Sequence, residues 1–203
     1  MNCKGPDLLL LATLLALGTL NNELGSLGGD NAQYILLAKS LATGQGYRTI
    51  HEPGAPPHTL YPFGFPLMLA PIVALKGAHA FFWMHGAVIA WALLAVFLWT
   101  RWVQREAHLG VALITLGLIV TTPLWVEGCG QILSEFPYLT CSLGSLLCAR
   151  RYLGQQKVVS SAGVSLVLCL LATYFVRTVG ITLIVALVAW ILLKRVRTGD
   201  GRL

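Results

Sequence analysis

Long apolar runs, broken by short polar connections, decide what this chain can become. Six stretches, at approximately 7–24, 80–100, 109–125, 132–149, 162–176 and 180–193, are dominated by hydrophobic residues. A helix of about 20 such residues crosses the hydrocarbon of a bilayer. Of the 203 residues, 56% are hydrophobic and 11% charged, against roughly 25% charged in soluble domains. A water-soluble fold of this size could not hide that much apolar surface, whereas in lipid it needs no hiding. The expected fold is therefore all-α: a single polytopic membrane domain over 1–203 with about six transmembrane helices. Residues 25–79 form an extracytoplasmic loop in this reading. The last two stretches are short and nearly continuous around Arg177, and read either as a tight hairpin or as one broken helix.

The first apolar run follows Lys4. Its exit, Asn21-Asn22-Glu23-Leu24-Gly25, is a poor signal-peptidase site, so it reads as an uncleaved first span. With the amino terminus in the cytoplasm and six alternating spans, ten of the fourteen Lys and Arg fall on the cytoplasmic side. Arg101 and Arg105, Arg150 and Arg151, and Lys194, Arg195 and Arg197 mark three separate inner ends. This is the positive-inside pattern, and it accounts for the net charge of +6 without nucleic acid. The expected location is a bacterial inner membrane. The five cysteines, Cys3, Cys129, Cys141, Cys148 and Cys169, form no CxxC pair and read as small apolar fillers.

The outer loop holds most of the polar chemistry. Residues 31–43 have a helical pattern with Tyr34, Leu37, Ala38 and Leu41 on one face. Asp30, after Gly28-Gly29, is placed to cap that helix, and Gly44-Gln45-Gly46 ends it. Pro53, Pro56, Pro57 and Pro62 then force an irregular path. The Pro-bounded apolar stretch 63–75 suits a helix lying at the membrane interface.

Only eight residues are acidic, which makes each informative. Asp30 lies beyond the first span, Glu127 and Glu135 flank the outer start of the fourth, and Arg177 separates the fifth from the sixth. All fall on one side in this topology. A carboxylate base with an arginine beside a lipid surface suits group transfer from a phosphate-linked lipid: the acid takes a hydroxyl proton and the guanidinium forks onto the phosphate. Each has a plainer role. Asp30 can serve as a cap, Glu135 in Ser134-Glu135-Phe136-Pro137 can stabilise a helix start, Arg177 can snorkel, and Glu127 reads as a solvated loop residue. His51 and His58, seven apart around a Pro-rich turn, are a weak metal signal.

These segments resemble a known plan. Gly29-Asp30-Asn31-Ala32-Gln33-Tyr34, then Ala38, Leu41 and Gly44-Gln45-Gly46-Tyr47, then Tyr61-Pro62-Phe63-Gly64-Phe65-Pro66-Leu67 resemble the first extracytoplasmic loop of GT-C superfamily membrane glycosyltransferases. Protein O-mannosyltransferases and lipid A aminoarabinose transferases belong to that group. Ser134-Glu135-Phe136-Pro137-Tyr138 and Arg177-Thr178-Val179-Gly180 resemble its later markers. The resemblance implies transfer of a sugar from a polyprenyl-phosphate donor to an acceptor. It implies Asp30 as the catalytic base, Arg177 on the donor phosphate and Glu135 as a second substrate-binding group. A divalent metal is common but not universal in the group, and none is assigned. Such enzymes usually carry more spans, and an acid where Asn31 stands here. The alternatives are thus a truncated enzyme, a chain completed by a partner subunit that supplies further helices, or a non-catalytic scaffold of the same fold. A small transporter would leave the long polar first loop unexplained, and the chain shows no repeat.

Overall fold

The structure is a computed structural model that describes residues 12–20, 29–106, 108–155 and 160–198. Lys4, Asp7, Glu23, Gly28, Lys157, Asp200 and Arg202, with Cys3 and both ends of the first apolar run, lie outside the described residues. Among the described residues every regular element is a helix, and the one β-type pairing is an isolated antiparallel bridge between Arg48 and Pro57. In chain order these are α1 (residues 12–17), α2 (Asp30–Ala42), α3 (Gly64–Lys76), α4 (Phe81–Glu106) and α5 (Leu109–Val120). They are followed by α6 (Pro123–Cys129), α7 (Glu135–Leu153), α8 (Ser161–Val176) and α9 (Gly180–Thr198).

By length and composition one helix, Phe81–Gln104 within α4, could cross a membrane alone. The expected third span is not one straight helix. Those residues form the pair α5 and α6, bent by 65° at their break, which is long and apolar enough to cross a membrane only if the two are taken together. The cause is local. Pro123 lacks the N–H that would continue α5, and the hydroxyls of Thr121 and Thr122 bond back to the carbonyls of Gly117 and Ile119. Thr122 then caps α6 by accepting from the Trp125 amide. Glu127 consequently sits in α6, exposed, rather than in a loop. The apolar helices Gly64–Lys76, Ser161–Val176 and Gly180–Lys194 are shorter than a full span.

The ambiguity around Arg177 resolves as a hairpin. Residues Gly163 to Leu170 of α8 face Val188 to Leu192 of α9, which requires the two helices to run antiparallel. Arg177 ends α8 in extended geometry (φ −147°, ψ 133°). Gly180 starts α9 so tightly against the Thr173 carbonyl that a Cβ there would lie 2.8 Å from it. α7 runs antiparallel to α8, with Gly144 beside Cys169 and Tyr152 beside Gly163. It runs parallel to α4, with the Thr140 hydroxyl donating to the Trp91 carbonyl (2.9 Å) and Leu143 packed near Val96 and Trp99. The starts of α4, α7 and α9 therefore share one end of the bundle. The principal core joins Ala12 and Ala16 of α1 to Tyr34 of α2, Phe65 and Leu69 of α3, Met84 and Val88 of α4, and Phe136 of α7. A smaller core of Ala149, Leu166, Leu170 and Leu187 holds α7, α8 and α9 together.

α2 forms where the helical pattern places it, with Tyr34, Leu37 and Ala38 buried. Asn31 and Ser40 join the buried face, whereas Leu41 is half-buried. Asp30 does not cap it. Gly29, at φ 77°, occupies the cap position, no side chain bonds the first turn, and Asp30 is the first helical residue. Its carboxylate is engaged elsewhere.

Candidate functional site

A cleft of about 460 Å³ opens at the end of the bundle where α2, α7 and the α8–α9 turn meet. Asp30, Glu135 and Arg177 all line it, with Tyr34, Leu60, Tyr61, Pro62, Tyr138, Thr178 and Val179. Sequence reasoning singled out the three charged residues. It did not single out the tyrosines or Thr178 as site residues, although Tyr61 and Tyr138 stand inside the segments that carry the resemblance.

Each charged group is delivered by a different piece of local structure. Asp30 sits on the first turn of α2, and its Oδ1 accepts a 2.6 Å hydrogen bond from the Tyr61 hydroxyl, the short range typical of a hydroxyl on a carboxylate. That bond is the chief cause that pushes the Tyr61 phenol up to about 12. Glu135 opens α7, where the helix dipole favours negative charge. Its Oε1 accepts from the Arg177 guanidinium at 2.5 Å. Burial works against the charge on Arg177, but the hydrogen bond and charge of Glu135 outweigh it, so Arg177 is held protonated more firmly than an ordinary arginine. Both partners are a third to a half exposed. One Nη1–H is engaged with Glu135, and a guanidinium carries five N–H donors in all.

Tyr34 stands between the three charges. Its hydroxyl pairs with the Ser134 hydroxyl at 3.1 Å, both buried. Burial raises its pKa, and it also feels Arg177, Asp30 and Glu135. Its ring stacks at a tilt on Tyr61 (5.1 Å between centroids) and edge-on to Phe65 (5.0 Å). The loop wall is anchored to the α8–α9 turn by close contact. Gly64 lies against the backbone of Phe175 and Val176, and the Phe63 ring meets the Phe175 ring at 4.8 Å. A side chain larger than hydrogen at position 64 would drive the loop away from Arg177.

The loop wall is built around His58. Its Nε2 accepts from the Tyr61 amide (3.0 Å), and its Nδ1 lies 3.1 Å from the Thr49 hydroxyl. The imidazole stacks on the Tyr61 ring (9° between planes) and receives the edge of Tyr47. Tyr47 donates to the carbonyls of Tyr61 and Pro62, and its own phenol pKa is raised, chiefly by burial. His58 is thus a structural hub whose ring nitrogens serve the loop. Its partner in the weak metal signal, His51, lies beside Glu52 at 4.0 Å instead. Among the described residues no three His, Cys, Asp or Glu side chains gather as a metal would need. The two carboxylates of the cleft are divided between Tyr61 and Arg177, a donor set that does not suit a divalent cation without rearrangement.

Asn31, the residue next to Asp30, does not line the cleft. It is 4% exposed, packed inside the fold, and its Oδ1 has no hydrogen-bond partner among the described residues. An aspartate in that place would be a buried charge, which is costly without a partner. The sequence matches no protein-family model, no curated protein and no solved structure.

Proposed function

We propose that this chain is a membrane-embedded glycosyltransferase that moves a sugar from a polyprenyl-phosphate donor to an acceptor hydroxyl at the extracytoplasmic surface. One observation carries the reading: two carboxylates, a guanidinium and four hydroxyl-bearing side chains converge in one cleft at one end of a helical bundle. Its volume falls within the roughly 300–1,000 Å³ of small-molecule sites. In the proposed reaction Asp30 takes the proton of the acceptor hydroxyl, whose oxygen forms a bond to the anomeric carbon. The bond from that carbon to the phosphate oxygen breaks, and the polyprenyl phosphate leaves with the electron pair. Arg177 stabilises the phosphate charge with the donors that Glu135 does not use. Glu135 fixes the direction of the guanidinium.

The membrane setting of this reading has six crossings, with the amino terminus in the cytoplasm. α4 satisfies it alone and the α5–α6 pair as a bent span. In this reading the apolar stretches 7–24, 132–149, 162–176 and 180–193 supply the others. Support comes from the broad apolar surface: Ile114, Leu118, Val164, Leu168, Val185 and Leu193 are all more than half exposed. Patches of that kind are rare on proteins surrounded by water. The cleft then opens at the lipid–water boundary, where a polyprenyl phosphate presents its head group.

The test is transfer from a defined polyprenyl-phosphate sugar by the purified chain in lipid vesicles. Asp30→Asn should reduce transfer by about 10²-fold or more while leaving expression intact. Full activity in that variant would refute the assignment of Asp30 as base.

A further inference from the structure

We propose that Tyr61 is the positioning residue for the Asp30 carboxylate, and that a neutral His58 holds Tyr61 in place, which makes the cleft acid-sensitive. The inference rests on the glycosyltransferase reading for its kinetic consequence, but its structural half stands on geometry alone.

Among the described residues the Asp30 carboxylate bonds to Tyr61 rather than to the first turn of its own helix, so the loop and not α2 fixes the rotation of its side chain. The Tyr61 hydroxyl does so, by holding Oδ1 at 2.6 Å. The second oxygen, Oδ2, is then the one presented to an acceptor hydroxyl. Tyr61 reaches that position from a loop 31 residues away, so the loop must be held firmly for the bond to persist. Three contacts hold it: the Tyr61 amide on His58 Nε2, the imidazole stacked on the phenol ring, and the Tyr47 hydroxyl on the Tyr61 carbonyl.

Two of those contacts depend on one ring. An Nε2 that accepts from an amide carries no proton, so the hydrogen of the neutral imidazole sits on Nδ1, facing the Thr49 hydroxyl. Protonating His58 puts a hydrogen on Nε2, against the Tyr61 N–H, and the contact becomes repulsive. The charged and titratable groups that face His58 are Glu52 and His51 on its own loop. α2 presents Gln33, whose amide nitrogen lies 3.4 Å from Nδ1, and Tyr47 and Tyr61 contribute their rings. Burial is the largest influence and lowers the His58 pKa below its usual value. The sign follows: the folded loop favours neutral imidazole. Its stability is intact above the ordinary histidine value of about 6.5 and falls as pH drops through the lowered folded value.

The experiment uses the full chain in vesicles, with two readouts. The first is amide hydrogen exchange, corrected for intrinsic pH dependence. Protection of the Tyr61 amide should fall about tenfold as pH is lowered from 7.5 through the depressed His58 value, the loss of one hydrogen bond. His58→Gln supplies a non-titrating oxygen near the Nε2 position, and its protection should be flat across that range. The second readout is transfer kinetics at pH 7.5. Tyr61→Phe should lower kcat about tenfold with KM for the donor unchanged, because the donor meets Arg177 rather than Tyr61. Protection that is equally pH-dependent in His58→Gln overturns the switch. A Tyr61→Phe variant with wild-type kcat, while Asp30→Asn is inactive, overturns the positioning role and leaves the proposed function standing. Absence of transfer by the wild-type chain instead refutes the proposed function, full activity in Asp30→Asn refutes Asp30 as its base, and in either case the exchange result judges the loop mechanism by itself.

Discussion

Gly64→Ala tests how the loop and the α8–α9 turn are locked together. A Cβ built on Gly64 would meet the Phe175 carbonyl oxygen first, and would lie 2.6 Å from the carbonyl carbon and 2.9 Å from the Val176 nitrogen. Ordinary contact begins near 3.4 Å, so the carbonyl group would have to retreat by at least about 0.8 Å. The obstructing atoms are backbone, so no rotamer change relieves them. Overpacking of this kind costs about 1–3 kcal/mol, which for a chain of this size lowers the thermal midpoint by on the order of 2–4 °C per kcal/mol. Arg177 is two residues beyond Phe175, and displacing a group near a reacting centre by about 1 Å can cost on the order of 10²-fold in rate. The assay is thermal unfolding in detergent, followed by donor binding. Gly86→Ala is the control: it makes the same chemical change in α4, where a Cβ would meet nothing. That variant should be neutral or stabilised by about 0.5–1 kcal/mol. Equal midpoints for the two variants would refute the close approach of α3 to α8.

Tyr34→Phe should destabilise by about 1 kcal/mol, because it strands the buried Ser134 hydroxyl; adding Ser134→Ala should cost less than about 0.5 kcal/mol more, the mark of a shared bond in a double-mutant cycle. Glu135→Gln should change stability by less than about 1 kcal/mol, since the pair with Arg177 is a third to a half exposed; a loss above roughly 2 kcal/mol would contradict that exposure. Arg177→Lys keeps the charge and loses the planar fork, so affinity for a polyprenyl-phosphate sugar, measured by equilibrium binding, should fall about tenfold.

Much of the architecture was legible in the chain because it is local. The apolar run that became α4 and the boundaries of α2 follow from composition and from Gly28-Gly29 and Gly44-Gln45-Gly46. The bend after α5 was also written there, as Thr121-Thr122-Pro123, but a hydrophobic count over 109–125 runs straight through it. Capping by Asp30 failed for the opposite reason. Its real partner, Tyr61, is 31 residues away, and no helix-start rule looks that far. The pairing of Glu135 with Arg177 spans 42 residues, and only the shared outer side of the proposed topology suggested it. His58 was the most misleading residue. Read beside His51 it suggested a weak metal site, while its stacking on Tyr61 and bond to the Tyr61 amide exist only once the Pro-rich loop has folded back.

The shared face of the first loop and the α8–α9 turn can be measured directly. Single cysteines replacing Leu60 and Thr178, both exposed at the rim of the cleft, and Gln155, exposed just past the far end of α7, can be introduced after the native cysteines are replaced. A membrane-impermeant thiol reagent applied to intact cells should label positions 60 and 178, and should reach 155 only after permeabilisation. Labelling of 60 and 178 from opposite sides would contradict the common cleft, and with it the acid–guanidinium pairing on which the proposed chemistry depends.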